Sequence, residues 1–179
     1  MKTSSNDHNK QTLSEDLYAQ PGHLLRRAQQ ISASLFFDEI DADITPIQYA
    51  VLHTLMEHPG IDQVSVAGLV AIDTSTAATV IVRLEQRGLL TREVHAVDRR
   101  LRVVNLTKAG EKLLVSLIPA IHRLHQKILE PFTVTEAQQF MKLLHKLVHL
   151  QNEQSRAPFS EMKRDLPVDR TPRKRGARS

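Results

Sequence analysis

Residues 73–110, DTSTAATVIVRLEQRGLLTREVHAVDRRLRVVNLTKAG, read in order as a helix, a glycine stop, a strand, a basic turn, a second strand and the start of another helix. In the first part Ala77, Val80, Ile81 and Leu84 fall on one face at helical spacing. Ser75, Thr76, Thr79 and Arg83 then point away from the core. Gly88 is the residue type that ends a helix in the left-handed region at little steric cost. Residues 89–94 and 101–106 are strand-like runs on either side of the turn His95-Ala96-Val97-Asp98-Arg99-Arg100, a protruding basic tip. This order predicts a winged helix-turn-helix: a mainly α fold with a small two- or three-stranded antiparallel β wing.

Working outward, residues 1–16 lack apolar periodicity and are expected to be a disordered arm. A helix follows Pro21-Gly22, with Leu24, Ala28, Ile31 and Leu35 in one stripe and Leu25 and Phe36 widening it. Thr45 and Pro46 suit the cap and first turn of a second helix, which carries Ile47, Ala50, Val51, Thr54 and Leu55 as far as Pro59-Gly60. Ser65 is placed to cap a short helix over 66–72. Thr107 is placed to cap a long one to about residue 129, with Leu113, Leu117, Ile121, Leu124 and Ile128 on one face. Pro119 inside that helix predicts a kink or a restart. Thr133 and Glu136 have the spacing of a capping box. The helix they open carries Phe140, Leu144, Leu147 and Leu150 on its inward face. The domain is thus read as 17–155, with the winged helix-turn-helix over about 46–106 and terminal helices over 17–40 and 107–153.

Charge is distributed unevenly. The net charge is +4, yet residues 156–179 hold eight Lys or Arg against three Asp or Glu, which leaves 16 basic and 17 acidic residues elsewhere. Affinity for nucleic acid must therefore come from local patches. Residues 83–102 carry six Arg, whereas 38–62 carry six acids and no Lys or Arg, so the wing region is the one expected to meet phosphates. The end of the chain, 156–179, reads as a basic disordered tail. With no Cys, disulfides and thiolate metal sites are excluded. No nucleophile, acid–base pair or phosphate-cradling glycine loop is present, so neither catalysis nor a cofactor is expected. No run approaches membrane-spanning length, and a cytoplasmic location is the expectation.

The segments RLEQRGLL and DRRLRVVNLTKAG resemble the MarR family of bacterial transcriptional regulators, in which a recognition helix ending in RLE-x-x-GL is coupled to a D-x-R or DRR wing and then V-x-LT-x-x-G. The resemblance extends in element order over about residues 24–150. It departs in the recognition helix, where relatives often carry Arg near the first turn and this chain has Thr74 and Thr79. It implies a homodimer on double-stranded DNA, with the terminal helices of two chains packed below two DNA-binding lobes. Phe132 and Phe140 would be buried there.

Ser75, Thr76, Thr79 and Arg83 are candidates for the major groove, although a Ser/Thr-rich helix start also serves simply as a cap or a solvated face. In the resembled wing, Asp98 orients Arg100 toward the minor groove while Arg99 and Arg102 meet phosphate. The resemblance also implies a pocket for small aromatic carboxylates between the dimer helices and the lobe. Arg26 or Arg27 would be its anion clamp, and Tyr49 and His53 would line it, one helical turn apart. LLRRAQQ, TPIQYAVL and PGIDQ point to a subgroup linked to aromatic-acid catabolism. The implied function is a repressor released from a pseudo-palindromic operator by such an acid. Two alternatives stand beside it: an architectural DNA-binding protein with no effector, and a metal-responsive regulator using His145 with His149 or His122 with His125.

Overall fold

In the computed structural model, which describes residues 17–94 and 102–161, a hydroxyl or carboxylate side chain opens every α-helix but the first. That first helix, α1 (Pro21–Glu39), starts on Pro21, whose fixed φ suits the opening position. α2 (Pro46–Glu57) begins where Thr45 and Pro46 predict. The Gln48 N–H donates to Thr45 Oγ1 (3.2 Å) and the Thr45 N–H donates to Gln48 Oε1 (2.9 Å). α3 (Gln63–Val70) departs from the sequence reading, because its cap is Asp62 and not Ser65. Asp62 Oδ1 accepts the N–H groups of Val64 (2.8 Å) and Ser65 (3.1 Å), while the Ser65 hydroxyl donates to Oδ2 (2.6 Å). A carboxylate takes all three donors at once, which a serine hydroxyl cannot. The helix consequently starts and ends earlier than the 66–72 expected.

Asp73 caps α4 (Thr74–Gln86), and Gly88 beyond its end has φ +69°, the left-handed stop. The axes of α3 and α4 are bent by 109° to one another, within the range of a helix-turn-helix. The two then share a core. Val51, Leu52 and Leu55 of α2, Val66 of α3, Ile81 and Leu84 of α4, and Leu90 and Val104 of the wing are fully buried. Each such aliphatic side chain contributes about 1.5–3 kcal/mol relative to exposure.

The wing base is β2 (Leu90–Val94) antiparallel to β3 (Arg102–Leu106), with Leu90 opposite Leu106 and Val94 opposite Arg102. On the other side of β3 lies β1 (Ile61–Asp62), Ile61 pairing with Val104, so the sheet order is β1-β3-β2. Two residues are too few to alternate visibly, and β1 has no signature of its own in the sequence. The tip holding Asp98, Arg99 and Arg100 lies outside the described residues, as does the 1–16 arm.

α5 (Lys108–Leu129) is capped by Thr107 and passes through Pro119 as one helix, so the chain does not restart there. Pro119 has no N–H for the Val115 carbonyl, and both residues are exposed. The inward stripe is Leu114, Leu117, Ala120, Ile121 and Leu124. Leu114 takes the place expected of Leu113, which is only half-buried, as is Ile128. Glu39 at the end of α1 ties this helix down: Arg123 Nε donates to its Oε2 (2.9 Å) and Lys127 pairs with Oε1.

α6 (Val134–Leu150) opens with the expected Thr133–Glu136 capping box but buries nothing. Phe140 and Leu144 are half-buried, and Leu147 and Leu150 are 41% and 72% exposed, so within one chain the expected inward face has nothing to pack on. The front of α1 is similar, with Leu24, Leu25 and Ile31 about half exposed while Phe36 is buried. Residues 156–161, assigned from sequence to the tail, have a defined path: Ser160 N–H donates to the Gly68 carbonyl of α3 (3.1 Å). Among the described residues no single helix is long and apolar enough to cross a membrane.

Candidate nucleic-acid interface and effector cavity

The outer face of α4 forms one wall of a shallow groove of about 350 Å³. Ser75, Thr76, Thr79 and Arg83 line it together with Thr45, Ile47 and Gln48 from the start of α2. Three of the hydroxyls are already committed as donors. Ser75 Oγ donates to Asp73 Oδ1, Thr76 Oγ1 donates to Asp73 Oδ2 (2.6 Å), and Thr79 Oγ1 donates to the Ser75 carbonyl (3.0 Å). The Ser75 and Thr76 hydroxyls, with the Thr76 N–H, hold the Asp73 carboxyl well below the usual carboxylate range. Toward a base edge the hydroxyls are left as acceptors and the threonines as methyl groups, which suits a cytosine amino group or a thymine methyl. Arg83 stands exposed on the same face and is its strongest donor.

The wing is fixed to this helix by a pair that sequence spacing does not reveal. Arg92 on β2 donates through Nε to Glu85 Oε2 of α4 (2.8 Å), with a second, shorter contact from Nη2. The Arg92 hydrogen bond pulls the Glu85 pKa down, and Glu85 in turn raises that of Arg92. Thr107 adds a second fastening: its hydroxyl donates to the Gly88 carbonyl (2.7 Å) while accepting from the Gly110 N–H (3.1 Å). Arg102, the first residue of β3, is exposed beside the tip.

Between α2 and α5 lies a cavity of about 410 Å³ lined by Tyr49, His53, Met56, Leu114, Val115, Ile118, Ile121, His122 and His125. Tyr49 packs against Phe36 and His53 at ring separations of 6.2 and 5.8 Å, and burial followed by the nearby Glu57 raises its phenol pKa, so it stays a hydroxyl donor. Glu57 also lies 3.7 Å from His53 Nδ1. Arg26 and Arg27 are not brought to this cavity within the chain. Both are exposed on α1, where Arg26 donates to Gln30 Oε1 (2.9 Å). The groups on the cavity that can carry positive charge are instead His53, His122 and His125. His122 and His125 are read from sequence as a possible metal pair, yet among the described residues no three His, Asp or Glu side chains gather as a metal site. The i, i+3 spacing does show that they share a face; that this face meets α2 is a tertiary fact.

A family model described as the MarR family matches residues 44–101. The transcriptional regulator HosA of Escherichia coli O127:H6 is 35% identical over 127 residues, covering 71% of this chain and 93% of that protein. The crystal structure of the PcaV transcriptional regulator from Streptomyces coelicolor with its natural ligand has 36% identity and a TM-score of 0.72, covering 76% of this chain and 96% of that one. BpsR of Bordetella bronchiseptica, solved to explain regulation of its DNA binding by 6-hydroxynicotinic acid, has 33% identity and a TM-score of 0.69, covering 73% and 95%.

Proposed function

This chain belongs to the MarR family of transcriptional regulators, and we propose that it is a cytoplasmic homodimeric repressor that leaves a pseudo-palindromic operator when a small aromatic acid enters the cavity between α2 and α5. The observation that carries this is the cavity's position. α2 packs on the recognition helix α4 and also on α5, so anything wedged between α2 and α5 bears on the lobe and on the long helix together. Because the recognition helices of a dimer must match successive turns of one DNA face, a small change of lobe angle disfavours the bound spacing. The ligand acts only in so far as it binds the two spacings unequally.

In this reading Ser75, Thr76, Thr79 and Arg83 enter the major groove. Arg100, positioned by Asp98, serves the minor groove, and Arg99 and Arg102 meet phosphates. The unpartnered apolar faces of α1 and α6, with the stacked rings of Phe132 and Phe140 (centroids 5.0 Å apart), pack against a second copy. Met56, Leu114, Ile118 and Ile121 hold the effector's ring and Tyr49 its hydroxyl or carboxyl. The carboxylate is met by His53, and by Arg26 or Arg27 brought to the cavity mouth by dimer assembly. No step requires catalysis or a cofactor.

The test is fluorescence anisotropy of the full chain on a labelled duplex from its own promoter region, titrated with 6-hydroxynicotinic, benzoic and hydroxycinnamic acids. An effector should weaken operator binding by about 5- to 150-fold, the usual range for coupled sites. Ala at Tyr49 or at Arg26 and Arg27 together should shift the half-effective concentration while leaving ligand-free DNA affinity intact. If no acid of the panel binds the free protein by calorimetry, the effector reading fails. If operator and random DNA bind alike and no acid has an effect, the chain is an architectural DNA binder.

A further inference from the structure

The chain does not leave the fold at the end of α6. Asn152 brackets the main chain of Phe159, its Oδ1 accepting the Phe159 N–H (2.8 Å) and its Nδ2 donating to the Phe159 carbonyl (2.9 Å). Inside that loop the Ala157 N–H donates to Ser155 Oγ (3.2 Å). Ser160 then bonds the Gly68 carbonyl in the middle of α3, and its side chain lies against the bare Cα of that glycine: a Cβ at position 68 would lie 2.1 Å from Ser160 Oγ, which would have to rotate away. The result is a strap, residues 152–161, tied at both ends and laid across the first helix of the helix-turn-helix.

The strap places one cation. Arg156 and Ala157, with Val64, Ala67, Gly68, Ile72, Asp73, Thr74 and Ser160, surround a depression of about 330 Å³. Val64 is in the first turn of α3 and Thr74 is the first residue of α4. Arg156, which is exposed, thus stands beside the leading ends of both helices. In a docked helix-turn-helix the second helix enters the major groove by its N-terminal end while the first crosses the backbone. The DNA group nearest such a position is the phosphodiester chain. Asp73 lines the same depression, and Ser75 and Thr76 donate to its two oxygens.

We propose that Arg156, held by the Asn152–Gly68 strap, is a phosphate contact at the flank of each half-site. The strap thereby adds sequence-independent affinity to a recognition helix poor in cations. This rests on the DNA-binding reading above, and the experiment separates the two.

Operator and random duplexes are bound by the full chain over a salt series, alongside Arg156→Gln, Arg156→Lys and Asn152→Ala. One lost phosphate contact lowers the log–log slope by about 0.9, which is roughly fivefold in affinity at 0.15 M salt relative to a 1 M reference. Arg156→Gln should lose this much per protomer on both duplexes, and Arg156→Lys should keep it. Asn152→Ala should move the slope the same way. An unchanged slope in Arg156→Gln overturns the proposal, as does a loss confined to the operator. An altered slope in Arg156→Gln with none in Asn152→Ala overturns the role of the strap. Failure of the unmodified chain to bind any duplex at low salt would instead sink the DNA-binding reading.

Discussion

Gly110 sits in the first turn of α5 against the Leu89 carbonyl that leads into the wing, and Gly110→Ala tests whether that approach holds the domain together. A Cβ at Gly110 would lie 2.1 Å from the Leu89 oxygen and 3.2 Å from its carbonyl carbon. Real Cβ contacts essentially never fall below 3.0 Å, so at least 3.0 − 2.1 = 0.9 Å must be absorbed between two backbone segments. Neither is free to give: the Leu89 carbonyl accepts the Thr107 N–H (3.1 Å), and Thr107 caps α5 and bonds Gly88. Forcing a methyl group into such a site costs about 1–3 kcal/mol. Ala in place of Gly in a helix returns roughly 0.5–1 kcal/mol, less in a first turn, so the net expectation is a loss of about 1–2 kcal/mol. Gly22 is the control, also in a first turn but with nothing within 4 Å of its Cβ position. Gly22→Ala should be neutral or stabilising by up to about 1 kcal/mol. Urea unfolding at one fixed protein concentration reads both, as a lower midpoint with unchanged slope for the first and an equal or higher midpoint for the second. Equal midpoints for Gly110→Ala and the unmodified chain would refute the reasoning.

Phe140→Asp with Leu144→Asp should convert a dimer to monomers at micromolar concentration by light scattering; an unaltered mass would place the dimer contact elsewhere. Arg100→Ala should weaken operator binding by about 1–3 kcal/mol. Asp98→Ala should weaken it too although a repulsive charge is removed, and tighter binding would end the positioning role. Exchanging Glu85 for Arg and Arg92 for Glu together should recover operator affinity lost by either change alone, measured by gel shift; no recovery would mean the pair does not set the wing. Glu39 is held below its usual pKa, most by Lys127 and then by Arg123. Its contribution is thus complete above the ordinary value near 4.5 and lost as pH falls through the lower folded value. Melting temperature should therefore drop on acidification from about pH 5 to 3 more for the unmodified chain than for Glu39→Gln, and parallel curves would exclude the carboxylate.

Local chemistry was readable where one or two residues decide it. Thr45, Thr107 and Thr133 each sit at a helix start because each donor or acceptor finds its partner within three residues, so the outcome needs nothing distant. Ser65 misled for the same reason, since Asp62, three residues before it, offers a second local solution that takes more donors. Where the answer lies across the fold, spacing is mute. β1 is a strand only because Val104 is there to pair with Ile61, and Leu114 displaces Leu113 only because α5 meets α1 and α2 at a particular rotation.

The candidate site divides along the same line, and the division bears on mechanism. Ser75, Thr76, Thr79 and Arg83 share a face by helical periodicity alone, and the structure sets them on one groove as the spacing predicts. Tyr49 and His53 likewise line one cavity, but what faces them is α5, so the histidines there look from sequence like an isolated pair. Arg26 and Arg27 lie one element further away, on a helix whose leading half has no packing surface within the chain. Within a single chain the cavity therefore has an apolar wall and three imidazoles, while Arg26 and Arg27 stand apart from it on α1. If the arginines do reach the cavity in the dimer, effector binding and dimer geometry are one equilibrium. A ligand that draws Arg26 or Arg27 to its carboxylate then also sets the angle at which the two recognition helices meet DNA.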